Sequence, residues 1–89
     1  MRYRRSPRVL ERHVAGGVLA TTPSDPAIHE LSGGAASVWS ELVLPWTVDE
    51  VVGRLAAAHG AERGSIADQV LRCIEELLAI GLLEEVADA

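Results

Sequence analysis

Hydrophobic positions in the first third of the chain form short runs that are separated by turn residues. Residues 9 to 14 and 18 to 22 are rich in aliphatic and β-branched side chains, and Ala15-Gly16-Gly17 lies between them. Because glycine tolerates the positive φ of a tight turn, this pattern predicts a β-hairpin over residues 9 to 22. Two prolines favour a loop at residues 23 to 26, after which residues 27 to 31 are predicted to form a third, short strand.

The remaining two thirds of the chain have apolar residues three and four positions apart, which is the helical period. Ser32 is the N-cap candidate for a first helix, and Pro45 requires that this helix end before it. Thr47 to Glu50 has the S/T-x-x-E pattern of a capping box at the start of a second helix. Gly60 is expected to close that helix.

A third helix is predicted after Ser65-Ile-Ala-Asp68, which is a weaker version of the same capping box. Its apolar stripe contains Ile66, Val70, Ile74 and Leu77, and Gly81 is the expected residue just past its end. The sequence LLEEV after Gly81 is compatible with one more short extended segment.

Strands grouped before helices predict an α+β domain, with the helices packed on one side of an antiparallel sheet. Three strands followed by three helices at this size match a winged-helix-like arrangement. We therefore expect a single domain over residues 9 to 86, preceded by a basic, flexible segment at residues 1 to 8 and followed by a tail at residues 87 to 89.

Charge is distributed unevenly along the chain. Residues 1 to 13 carry five arginines and one glutamate, whereas residues 14 to 89 carry three arginines and twelve acidic residues, a net charge of −9. An acidic body repels phosphate, which argues against nucleic acid as its partner. The basic segment is interpreted as a solvated tail, and an arm that binds phosphate or acidic groups is the sharper alternative.

Residues that carry chemistry are sparse. His13, His29 and His59 lie too far apart to form a metal-ligand pattern, and no cofactor motif is present. Cys73 falls in the third helix, where a packed thiol is a better interpretation than a nucleophile. A single cysteine excludes an intrachain disulfide and favours a reducing cytoplasm, and no apolar run approaches the ~20 residues of a membrane span. The sequence therefore predicts neither an enzyme nor a membrane protein.

Several of these segments together resemble the PqqD-like family across roughly residues 9 to 84. The resemblance is carried by HELSGGAASVW after the third strand, TVDEVVGRLAAAHG in the second helix and ADQVLRCIEELLAIGLLEE in the third. Cys73 departs from the family pattern, in which a bulkier apolar residue is common. The resemblance implies a recognition element for ribosomally made, post-translationally modified peptides, of the discrete type found in lasso-peptide clusters.

In that family the leader of a precursor peptide lies as an extra strand against the third strand, in a groove bounded by the third helix. The resemblance therefore implies a site that combines this strand with one side of the helix. The candidate peptide-binding residues are Ala27, Ile28, His29, Glu30, Leu31, Asp68, Leu71, Arg72, Glu75 and Leu78. An edge strand offers free backbone groups to such a peptide, and side-chain pockets must supply the specificity.

The resemblance also implies partners. The expected ones are the precursor leader and a separate cysteine-type leader peptidase, with the chain itself a monomer or weak dimer. An adaptor for a radical-SAM or other modifying enzyme is the alternative within the family. A winged-helix nucleic-acid binder is the alternative of another class, and it would require a more basic third helix than this sequence provides.

Overall fold

A computed structural model describes residues 1 to 87 and shows five strands and three helices. The strands are β1 (Arg2–Arg5), β2 (Leu10–Val14), β3 (Gly17–Thr22), β4 (Asp25–Ser32) and β5 (Leu83–Val86). The helices are α1 (Gly33–Glu41), α2 (Val48–His59) and α3 (Arg63–Ala79). The α+β prediction of a three-stranded antiparallel sheet followed by three helices is confirmed.

The three-stranded sheet has the order β2-β3-β4, and both pairings are antiparallel. Its first turn depends on glycine, because Gly16 has a φ of 81°. Gly17 follows it, and a β-carbon at Gly17 would collide with the backbone oxygen of Leu31 on β4. The Gly-Gly pair is therefore needed twice, once for the turn and once for the close approach of two strands.

β4 is longer than predicted, because it already begins at Asp25 and includes Pro26. The predicted loop at residues 23 to 26 is therefore wrong in its second half, and the turn lies at Pro23-Ser24. An irregularity in the pairing with β3 accommodates the proline, which belongs to an edge strand and so costs the sheet little.

The helix starts follow the sequence pattern to different degrees. Thr47 and Glu50 form the predicted capping box, with Glu50 N–H donating to Thr47 Oγ1 at 3.1 Å and Thr47 N–H to Glu50 Oε1 at 3.0 Å. Gly60 ends α2 with a φ of 62°. Ser32 stands at the N-cap of α1 without a side-chain bond, whereas α3 begins before Ser65, whose hydroxyl donates to the carbonyl of Glu62.

The basic N-terminal segment is not a flexible tail, which corrects the sequence expectation for residues 1 to 8. Residues 2 to 5 form β1, which pairs antiparallel with β5 at the other end of the chain. The Arg5 guanidinium lies over the Trp39 ring at 4.6 Å, donates to the Trp39 carbonyl at 2.9 and 2.8 Å, and contacts the Glu11 carboxylate. Glu11 also accepts a bond from the indole N–H of Trp39. These contacts join β1, β2 and α1.

The core lies between the inner face of the sheet and the three helices. Trp39 and Leu42 of α1 and its following turn are fully buried, as is Leu82 before β5. The whole buried apolar set is Val18, Ala20, Leu31, Val38, Trp39, Leu42, Val51, Val52, Leu55, Ala56, Val70, Ile74, Leu77, Leu82 and Leu83. The predicted extended segment after Gly81 is confirmed as β5, and its first residue belongs to this core.

Candidate functional site

The outer edge of β4 has no strand partner within residues 1 to 87. Two contacts show how its backbone is oriented: the Leu31 carbonyl lies against Gly17 of β3, and the Ala27 carbonyl accepts from Thr21 Oγ1 at 2.9 Å. Because backbone groups alternate in direction along a strand, those of Ile28 and Glu30 point the other way. They face the free edge, where another strand would find unpaired donors and acceptors.

Side chains along β4 also alternate between two environments. Leu31 is buried and His29 is half-buried on the inner face, while Ile28 is 69% exposed and Glu30 is exposed on the outer face. Ala27 is exposed at the irregular start of the strand. The five residues of this strand in the candidate set are therefore brought together on one edge, with side chains on both faces of the sheet.

His29 carries an unsatisfied polar atom at this edge. Its Nε2 is buried with no hydrogen-bond partner among residues 1 to 87, and the nearest carboxylate oxygen, Asp25 Oδ2, lies 3.5 Å away. A bond from the Ala27 N–H, and to a lesser degree the nearby His29, hold the pKa of Asp25 below its ordinary value. The carboxylate therefore stays ionised beside the imidazole at neutral pH.

Helix α3 presents the second group of candidate residues. Val70, Ile74 and Leu77 are buried in the core, and Leu71 beside them is 43% exposed. Leu78, two helical turns after Leu71, is half-buried, and Asp68, Arg72 and Glu75 are exposed. On a helical projection Asp68, Leu71, Glu75 and Leu78 share one side, which we call the open flank of α3, and Arg72 lies further round.

The opposite side of α3 is occupied by the other helices. Ile66, Gln69, Val70 and Cys73 line a cavity of about 420 Å³ together with Gly33, Gly34, Ser37, Val38, Leu55 and His59. This cavity lies between the start of α1, the end of α2 and α3. The sequence did not indicate it, because its lining combines three helices whose packing is not encoded in any one segment.

β4 and α3 are connected mainly through α1. Both pack against α1, yet within the described residues they have no comparably extensive contact with each other. The resemblance described above implies a peptide site between the free edge of β4 and the open flank of α3, which we call the β4–α3 groove. That these two surfaces face each other stays a prediction. The free backbone donors and acceptors of β4 are suited to an extended peptide rather than to a small polar ligand.

Metal-ligating side chains and the Cys73 thiol are the features that bear on chemistry in this domain. Within residues 1 to 87 no group of three or more His, Cys, Asp or Glu side chains is placed to hold a metal ion. Burial, and secondarily Glu76, raises the pKa of the Cys73 thiol, so the thiol is protonated at neutral pH and poorly nucleophilic. No helix in the described part of the chain is long and apolar enough to cross a membrane.

Comparison with known proteins gives one family match. The family model described as coenzyme PQQ synthesis protein D (PqqD) matches residues 18–83. This chain belongs to the PqqD family. The matched region of the PqqD family member runs from β3 to the start of β5, so it includes both β4 and α3.

A solved structure has the same fold as this PqqD family member. The structure of TbiB1 in complex with the TbiA(beta) leader peptide superposes with a TM-score of 0.80, at 21% sequence identity. The match covers 96% of this chain and 99% of that chain. A search of curated proteins gives no significant match.

Proposed function

We propose that this PqqD family member binds the leader segment of a ribosomally made precursor peptide and presents it to a separate enzyme. The leader adds as a strand beside β4 and packs against the open flank of α3. The observation that carries the proposal is the free edge of β4, where the backbone groups of Ile28 and Glu30 have no strand partner within residues 1 to 87. The likeness in fold to TbiB1, which was solved with a leader peptide, supports it.

Strand addition explains how one small domain accepts a peptide without a deep pocket. Main-chain hydrogen bonds supply an attraction that tolerates many sequences, and side-chain contacts decide which sequence is preferred. Leu71 is the exposed apolar side chain on the open flank, and Leu78 continues it toward the core. Asp68, Glu75 and Arg72 surround them with charge that selects among leaders.

The proposed partner is a separate cysteine-type leader peptidase of a lasso-peptide pathway in the cytoplasm, with this chain acting as a monomer or weak dimer. The chain itself is proposed to have no catalytic role, since its one thiol is protonated and half-buried against the core. The family match also supports a related candidate, an adaptor for a radical-SAM or other modifying enzyme. Co-purification with each enzyme type distinguishes the two.

Nucleic acid is the weaker candidate on electrostatic grounds. Three of the four arginines in residues 1 to 8 are engaged in ion pairs, because Arg2, Arg4 and Arg5 pair with Glu50, Glu84 and Glu11. The exposed side of α3 carries more acidic than basic residues, which repels a phosphate backbone.

The test uses peptides selected from a display library of random linear 16-residue sequences against the purified protein. The best peptide is labelled and titrated against the parent, Leu71→Asp and Leu44→Asp. Leu44 is 58% exposed between α1 and α2, so it provides the same chemical change outside the groove. Leu71→Asp is expected to weaken binding on the order of 30-fold, because it leaves an unpaired charge against an apolar side chain of the peptide. Equal affinities for all three proteins, or no enriched peptide at all, would contradict the proposal.

A further inference from the structure

The outer face of the three-stranded sheet, on the side away from the helices, carries an exposed apolar surface. Leu10, Leu19 and Ile28, one from each strand, surround a shallow hollow of about 230 Å³ with Arg12 and Thr21 at its rim. Ile28 and Leu10 are 69% and 64% exposed. The hollow has room for several waters or one aliphatic side chain, given about 30 Å³ for each water.

A row of residues with mixed character crosses the same face. Arg12 on β2 lies opposite Leu19 on β3, which lies opposite Glu30 on β4. Glu30 takes part in none of the ion pairs among residues 1 to 87, and Arg12 is two strands away, which is roughly 10 Å. The row therefore ends, at the free edge of the sheet, in an uncompensated carboxylate.

A strand added at that edge would extend both features. Successive side chains of a strand point to opposite faces, so only every second residue of a docked peptide can enter the β4–α3 groove. The residues between them lie on the outer face, next to Ile28 and Glu30. Directly opposed side chains on one face of a sheet interact, and opposite charges or apolar pairs are favoured there.

We infer that the outer face of the sheet is a second recognition surface for the leader, which takes an apolar side chain beside Ile28 and a lysine or arginine beside Glu30. The two leader residues are two positions apart. The inference rests on the proposed function, since it requires a peptide strand beside β4. It adds that leader specificity is determined on both faces of the extended sheet, and it names the chemistry of the outward-facing leader residues.

The experiment repeats the selection from a display library, here of random 12-residue peptides, on the parent, Glu30→Lys, Ile28→Thr and Glu85→Lys. Threonine keeps the strand preference at position 28 while it removes apolar area. Glu85 is exposed on β5, outside the three-stranded sheet, and controls for the change in net charge. Parent and Glu85→Lys are expected to enrich peptides with an apolar and a basic residue at positions i and i+2. Glu30→Lys is expected to enrich an acidic residue in place of the basic one, and Ile28→Thr to lose the apolar preference.

Titration of a single parent-selected peptide measures the size of the effect. Its affinity is expected to fall on the order of two- to fivefold in Glu30→Lys, as for the loss of one cross-strand pair, and to stay unchanged in Glu85→Lys. Glu30→Pro separates this inference from the proposed function, because it removes the edge donor itself and should abolish binding of every selected peptide.

Two results would overturn the inference and leave the proposed function standing. In the first, the selected peptides no longer bind Glu30→Pro, but the selections on the parent and on Glu30→Lys give the same residue preferences. The other is a dimer of the parent that Ile28→Thr dissociates without any change in peptide preference, which would assign the outer face to a second copy. Peptides that bind Glu30→Pro as well as the parent would instead refute strand addition and the proposed function with it.

Discussion

Arg5→Ala tests whether the N-terminal segment is an integral part of the fold. The side chain of Arg5 is 21% exposed and that of Glu11 is 28% exposed, so their ion pair is only partly screened by water. The substitution removes a cation–π contact with Trp39 worth about 1 kcal/mol and the charge-assisted bonds to its carbonyl, worth about 2 kcal/mol together. We expect a loss of about 3 kcal/mol in the free energy of unfolding.

The assay is equilibrium unfolding in urea, followed by far-UV circular dichroism and by tryptophan fluorescence. Arg4→Ala is the matched control, because Arg4 is the neighbouring residue of β1 and pairs with Glu84 at 2.6 Å, but the two side chains are 48% and 37% exposed. An exposed pair of this kind contributes less than about 1 kcal/mol. Equal stabilities of the two variants, within about 0.5 kcal/mol, would refute the claim that Arg5 fixes β1 to β2 and α1.

Two further predictions concern backbone packing and acid stability. Gly17→Ala should destabilise the domain on the order of 2 kcal/mol in urea unfolding, because the new β-carbon meets the Leu31 carbonyl; Gly64→Ala, in open space on α3, should not destabilise it. A loss of stability in Gly64→Ala equal to that in Gly17→Ala would contradict this. The bond from the Thr47 N–H, more than the nearby Arg2, lowers the pKa of Glu50 in the folded state. The ionised carboxylate therefore contributes to the free energy of unfolding above the pKa of the unfolded state, and this contribution is lost as the pH falls through the pKa of the folded state. Urea midpoints measured across that acidic range should therefore fall less steeply for Glu50→Gln than for the parent, and parallel slopes would contradict this.

The order of the central elements could be predicted from local signals, whereas the N-terminal strand could not. The Gly16 turn, the Thr47 capping box and the helix end at Gly60 each depend on a few neighbouring residues, and the structure confirms all three. β1 pairs with a strand some 80 residues away, and the run RYRR has no alternation of apolar and polar positions that would reveal a strand. Its strand conformation depends on tertiary contacts, above all those of Arg5.

The sequence predicts the candidate site only in outline. The edge strand before a helix start was predicted from residues 27 to 31 and their flanking turn residues. Two features are visible only in the three-dimensional structure. One is the alternation that turns the backbone of Ile28 and Glu30 outward, and the other is the hollow on the outer face that Leu10, Leu19 and Ile28 share. Both depend on strand register, which a single sequence does not specify. The roles of the α3 residues remain predictions.

The most direct test of strand addition follows individual backbone amides of β4 by NMR hydrogen exchange, in the free protein and in complex with a display-selected peptide. In the complex, the amides of Ile28 and Glu30 are expected to become protected, because the peptide backbone accepts their hydrogen bonds. His29 donates toward β3 and should already be protected in the free protein. A saturated complex in which Ile28 and Glu30 exchange as fast as they do in the free protein would contradict the account.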